Sequence, residues 1–218
     1  MLRQLLALAL TATLASAQGG TGVDAPISIT GVVQPAGPSI CAQIVTHRLE
    51  CTNVSLISQN IDLTALEGKL VQIKAKPTPF SSAICPALEV VAVSPNPSLV
   101  LESCGTPALG CPMRFKLCPG GMSLGAFLLS TAPGFQPLGP EIGTFLLSPD
   151  FVVLAQTGPS APCHQLDIAV PNSPNLVGEN FWMQGLKIDI GPVGPVQLSN
   201  AICFDILPPF VPCAQPGC

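Results

Sequence analysis

Gly121-Met122-Ser123-Leu124-Gly125 has the Gly-x-Ser-x-Gly spacing of a nucleophile elbow. In that motif a sharp turn between a buried strand and a helix presents the Ser hydroxyl to a general base. Here Leu117-Cys118-Pro119-Gly120 precedes as a turn, and Ala126-Phe127-Leu128-Leu129-Ser130 follows as a strand. That context is a glycine-flanked serine at a β-turn rather than an elbow. His164, with Asp167 close to it in sequence, is the one downstream histidine that could act as base. A serine hydrolase built on Ser123 and His164 is excluded if the two lie more than about 10 Å apart, well beyond hydrogen-bond reach.

Other chemistry-bearing residues form no set. His47 sits in a strand pattern, Ile44 to Leu49, where it reads as solvent-facing or cross-strand bonded, with no second metal ligand at suitable spacing. Glu141, Asp150, Asp167, Glu179, Asp189 and Asp205 are scattered, so no carboxylate pair for glycoside chemistry can be nominated. No glycine-rich phosphate loop occurs, and the sequence implies no cofactor and no metal. Trp182, the single tryptophan, lies in Asn180-Phe181-Trp182-Met183-Gln184. Exposed beside Asn180 and Gln184, it would offer a sugar ring a stacking face; packed between sheets, it is core. Asn53-Val54-Ser55 is a glycosylation sequon.

Ten cysteines, Cys41, Cys51, Cys85, Cys104, Cys111, Cys118, Cys163, Cys203, Cys213 and Cys218, read as a disulfide framework. No CxxC pair supports a metal instead, and Cys163-His164 are adjacent. Spacing does not fix connectivity. Pairing each cysteine with a sequence neighbour gives the guess Cys41–Cys51, Cys85–Cys104, Cys111–Cys118, Cys163–Cys203 and Cys213–Cys218.

Export fits the start of the chain. Arg3, a short apolar run from Leu5 to Leu14 and Ala15-Ser16-Ala17 read as a signal peptide over residues 1–17, with a linker over 18–23. No later run of eighteen apolar residues suggests a membrane span. Without Arg3, seven basic residues face twelve acidic ones, and charged residues make up only 9% of the chain. A surface so weakly charged suits extracellular packing, polysaccharide contact or self-association better than steering of charged ligands.

The elements that must position these residues are strands. Val71, Ile73 and Ala75 alternate with polar residues, as do Leu166, Ile168 and Val170, and Leu186, Ile188 and Ile190 alternate with Lys187 and Asp189. Each pattern predicts a half-buried strand with one wet face. Further strands are expected at 27–33, 42–50, 87–93, 98–102, 125–131, 144–155 and 196–206. One capped turn, Asp62 to Gly68, is the only helical signal. Prolines and glycines punctuate the runs, and Ser94-Pro95-Asn96-Pro97 marks a boundary near residue 96.

Within residues 24–96, Gly31-Val32-Val33, Ile61-Asp62-Leu63, Gly68-Lys69-Leu70-Val71-Gln72-Ile73 and Leu88-Glu89-Val90-Val91-Ala92-Val93 are similar to exported OB-like modules. An OB-like barrel raises nucleic-acid binding, but residues 24–95 carry four basic residues (Arg48, Lys69, Lys74, Lys76) against five acidic ones, and Phe80 is the only aromatic. The basic groove and the stacking platforms are both missing. In the second half, Gly121 to Gly125, Ile168 to Gly178, Trp182-Met183-Gln184 and Gln197-Leu198-Ser199-Asn200-Ala201 resemble a β-sandwich domain, often C-terminal, of secreted modular proteins from environmental bacteria. That resemblance implies a secreted accessory module and brings no catalytic residues.

The expectation is an all-β, disulfide-stabilised chain: an OB-like Greek-key barrel (24–96), an antiparallel β-sandwich (97–207) and a Pro/Cys-rich tail (208–218). Its function is expected to be that of a non-catalytic, secreted or cell-surface structural protein contacting extracellular protein or a polysaccharide matrix. The other two readings are a carbohydrate-binding module using Trp182 and a secreted serine hydrolase.

Overall fold

The computed structural model describes residues 26–37, 45–79, 81–82, 85–118, 122–160, 163–190 and 195–215. The expected signal peptide, Cys41, Phe80 and Cys218 fall outside them. The protein is all-β and disulfide-stabilised.

Five strands, β1 (Ile27–Pro35), β2 (His47–Leu49), β3 (Ser55–Ile57), β4 (Leu70–Pro77) and β5 (Ala87–Ser94), close into a barrel in the order β1-β2-β3-β5-β4. Strands β3 and β5 run parallel and the other neighbours antiparallel. Strand β4 follows its two-residue period: Val71, Ile73 and Ala75 are buried inside the barrel, and Lys74 and Lys76 are exposed. The capped turn is a single 3₁₀ turn, Thr64–Leu66. The Asp62 carboxylate accepts the Thr64 amide at 3.0 Å, and Gly68 leaves the turn at φ +73°. Strand β1 is buried on both faces over its first five residues, because the rest of the chain covers its outer side. There the Thr144 hydroxyl donates to the Ser28 carbonyl at 2.7 Å.

The second half contains β6 (Val100–Gly105), β7 (Pro112–Cys118), β8 (Ser123–Ser130), β9 (Pro133–Pro137), β10 (Thr144–Leu147), β11 (Val152–Ser160), β12 (His164–Ala169), β13 (Asn180–Asp189) and β14 (Val196–Asp205). They form a four-stranded sheet β11-β8-β13-β14, a three-stranded sheet β12-β7-β6 and the hairpin β9–β10. Phe115, Leu117, Phe127 and Met183 fill the space between the two larger sheets. Ala126, Leu128, Phe145, Leu147 and Leu186 fill the space between the four-stranded sheet and the hairpin. Leu146 and Ala201 pack into the barrel's own cluster.

Two sequence expectations change. Residues 144–155 are two strands, broken at Ser148-Pro149-Asp150, where proline removes a ladder donor. Lys187, expected on a wet face, is buried, because the central sheet is covered on both sides and alternation along β13 separates two cores rather than core from water. Strand β7 was not expected, although Met113, Phe115 and Leu117 alternate with Arg114 and Lys116.

Four of the five local disulfide pairings are overturned. Cys51 bonds Cys203, Cys111 bonds Cys213 and Cys118 bonds Cys163. This excludes Cys41–Cys51, Cys111–Cys118, Cys163–Cys203 and Cys213–Cys218. Strand pairing is the physical reason: Leu117 of β7 lies opposite His164 of β12, which brings the adjoining Cys118 and Cys163 together. The tail returns to the connection between β6 and β7, where the Ala214 amide donates to the Thr106 hydroxyl. Cys85 and Cys104 are also disulfide-bonded.

Candidate functional site

Where β8, β11, β12 and β13 meet, the space between the facing sheets changes from apolar to polar. The register places Thr157 (β11), Gly125 (β8), Lys187 (β13) and Gln197 (β14) in one row across the four-stranded sheet, and Ser123 and Asp189 in the next. Residues directly opposite on antiparallel strands share a face. His164, the first residue of β12, enters this row from the other sheet.

Ser123 and His164 are brought together. The Ser123 Oγ lies 3.1 Å from His164 Nε2, and the Thr157 Oγ1 lies 2.6 Å from His164 Nδ1. The separation that would have excluded the serine–histidine reading is therefore not found. Ser123 is the first residue of strand β8 rather than the β-turn residue expected, and no helix follows it as an elbow requires. Gly125 makes room for the imidazole: a Cβ there would stand 2.6 Å from the ring and 2.8 Å from the Thr157 hydroxyl. The ring is seated against backbone.

Hydroxyl–imidazole–hydroxyl is the order of a nucleophilic triad with its carboxylate replaced. Asp167 does not supply that carboxylate, because alternation along β12 turns it outward. There Arg114 holds it from two nitrogens, at 2.7 and 3.2 Å, and pulls its carboxyl below the usual range. A neutral hydroxyl can orient an imidazole but stabilises an imidazolium far less than a carboxylate does. Ser123 is 0% exposed and His164 1%. In this arrangement the Ser123 oxygen is shielded from solvent. Burial also pushes the His164 imidazole below its ordinary value, so the ring is neutral near pH 7.

The remaining candidates are placed as follows. His47 is buried in the barrel wall rather than solvent-facing, with Nδ1 against the Thr46 hydroxyl and Nε2 3.1 Å from Glu67, which ties β2 to the loop before β4. Trp182 is half-buried against the cluster beneath the β9–β10 hairpin. Gln184, which was to flank it as a sugar contact, is fully buried: it accepts from the Leu146 amide and donates to the Thr144 and Ser199 carbonyls. Asn200 accepts from the Leu101 amide and donates to the Leu101 carbonyl, joining β14 to β6. Through Thr144 and Leu146, and through Leu101, the amides of Gln184 and Asn200 thus join β13 to β10 and β14 to β6, strands that no ladder connects. Asn53 of the sequon lies in the β2–β3 turn, its Oδ1 buried without a protein partner.

A cleft between barrel and second half, lined by Ser28, Thr30, Gln72, Glu141 and Gln197 among others, has an interior of about 20 Å³. That is room for about one water, far below the roughly 300 Å³ or more of a small-molecule site. Among the described residues no group of three or more His, Cys, Asp or Glu could hold a metal ion, and no helix is long and apolar enough to cross a membrane.

Comparison with family models, with curated proteins and with solved structures returned no match.

Proposed function

We propose that this chain is a secreted or cell-surface, non-catalytic structural protein that works through protein contacts along the edge of its four-stranded sheet. One observation carries the reading. Strand β11 is an edge strand, paired among the described residues only with β8, and Val152, Val153 and Leu154 on it are 54%, 42% and 39% exposed. Edge strands are normally blunted by charge. This one has no charged residue across its nine positions, and its only brakes are Pro159 and two register shifts. Its free backbone groups and apolar side chains suit an extended, uncharged protein segment added as a further strand.

The disulfides support an oxidising, extracellular setting. The closed order β1-β2-β3-β5-β4 supports an OB-like reading of the barrel, and the two facing sheets support a sandwich reading of the second half. The sealed Ser123 and His164 support a structural role for that pair.

The test is titration of the oxidised protein with a synthetic peptide of alternating Val and Thr, followed by amide NMR. Shifts and added protection confined to β11, lost in Val153→Lys, are expected. No response along β11, together with retention on insoluble polysaccharide that disappears in Trp182→Ala, would overturn the proposal in favour of carbohydrate binding.

A further inference from the structure

We propose that His164 is an acid-sensitive latch fastening the edge strands of the two facing sheets to each other. The inference goes beyond the edge-contact reading and does not rest on it. The ring is carried by β12, the edge of the three-stranded sheet, and its two nitrogens meet hydroxyls on β8 and β11, the edge side of the other sheet. Its seat is shaped for it, since any side chain at Gly125 would occupy the ring's position.

The surroundings favour a neutral ring. From β8 and β11 it faces the uncharged Ser123 and Thr157, and Leu117 of β7 lies opposite it. Gln197 of β14 is uncharged. Among the described residues, the charged groups in the facing rows come from β13: Lys187, in the Gly125 row, and Asp189, in the Ser123 row, bonded to each other at 2.9 Å. Arg114, Lys116 and Asp167 alternate to the opposite faces of β7 and β12. A protonated ring could still donate to both hydroxyls. It would, however, be a charge cut off from water, and burying a charge costs more than the two bonds return.

Opening the latch puts the ring in water, where it titrates with an ordinary imidazole pKa of about 6.5. The closed state disfavours the proton, so the latch is fully effective above about pH 6.5 and weakens as pH falls below it. The opening equilibrium rises by up to about tenfold per pH unit until the closed-state pKa is reached. Acid is expected to loosen β11 and β12 locally before the fold is lost.

With two histidines in the chain, ring-proton NMR separates His164 from His47. The expected result in the intact oxidised protein is a His164 midpoint below 6.5, with β11 amide exchange, corrected for its intrinsic rate, rising by up to tenfold per unit between pH 6.5 and that midpoint. His164→Gln should remove this pH dependence. A His164 midpoint at or above 6.5, or the same slope in the variant, would overturn the latch. If the variant does not fold, the wild-type midpoint decides alone.

Discussion

Ser123 keeps the spacing of a nucleophile and His164 stands at bonding distance, yet the oxygen is walled off by the sheets that bring them together. Replacing Ser123 with Ala removes one partner of a buried imidazole nitrogen and is expected to cost about 1–3 kcal/mol. The midpoint of urea unfolding measures this. A fluorophosphonate probe is expected to leave Ser123 unlabelled in the folded protein, and mass-spectrometric detection of an adduct on Ser123 would reverse the structural reading. Gly125→Ala is expected to be the more damaging change, because its Cβ meets the ring and the Thr157 hydroxyl together. Overpacking of this kind costs roughly 1–3 kcal/mol or more. Ser123 and His164 were legible in the sequence because a motif and a short list of bases pointed to them. Thr157 was not: it enters only through the pairing of β11 with β8, which no local pattern encodes.

At the scale of elements, period-two alternation was readable wherever one face of a strand met water, as in β4 and β12. It misled along β13, where Lys187 lies between two covered layers, and it hid the break between β10 and β11. Disulfide connectivity was illegible for a related reason. Cysteines pair according to which strands become neighbours, so Cys51 in the β2–β3 turn reaches Cys203 in β14, 152 residues away. Trp182 lies directly opposite Cys203 in the β13–β14 ladder and shares its face. A disulfide beside an indole quenches its emission, so reduction of Cys51–Cys203 is expected to raise Trp182 fluorescence. The same rise should appear in a Cys51→Ser/Cys203→Ser variant before any reductant is added. Emission unchanged by both treatments would show that the indole does not sense the bridge. The variant should also lose about 2–4 kcal/mol of stability, chiefly through the freedom regained by the unfolded chain.

The whole molecule is more tightly integrated than a change in composition near residue 96 suggests. Leu146 and Ala201, from the second half, are part of the barrel's buried cluster, and Ser28 and Thr30 on the barrel's outer face are buried because that half covers them. Cys51–Cys203 then locks the contact covalently. A barrel cut at residue 96 would expose these groups together and leave Cys51 without its partner. Small domains have little stability to spare for such losses. The intact oxidised chain is therefore expected to unfold in one transition. Trp182 emission would report the second half, and the ring protons of His47 would report the barrel. Coincident midpoints for the two probes, and an expressed 26–96 fragment without dispersed amide signals, are the expected outcome. Separate midpoints would mean that the shared cluster contributes less than either core, and that the barrel is a free-standing module joined to the second half through covalent links alone.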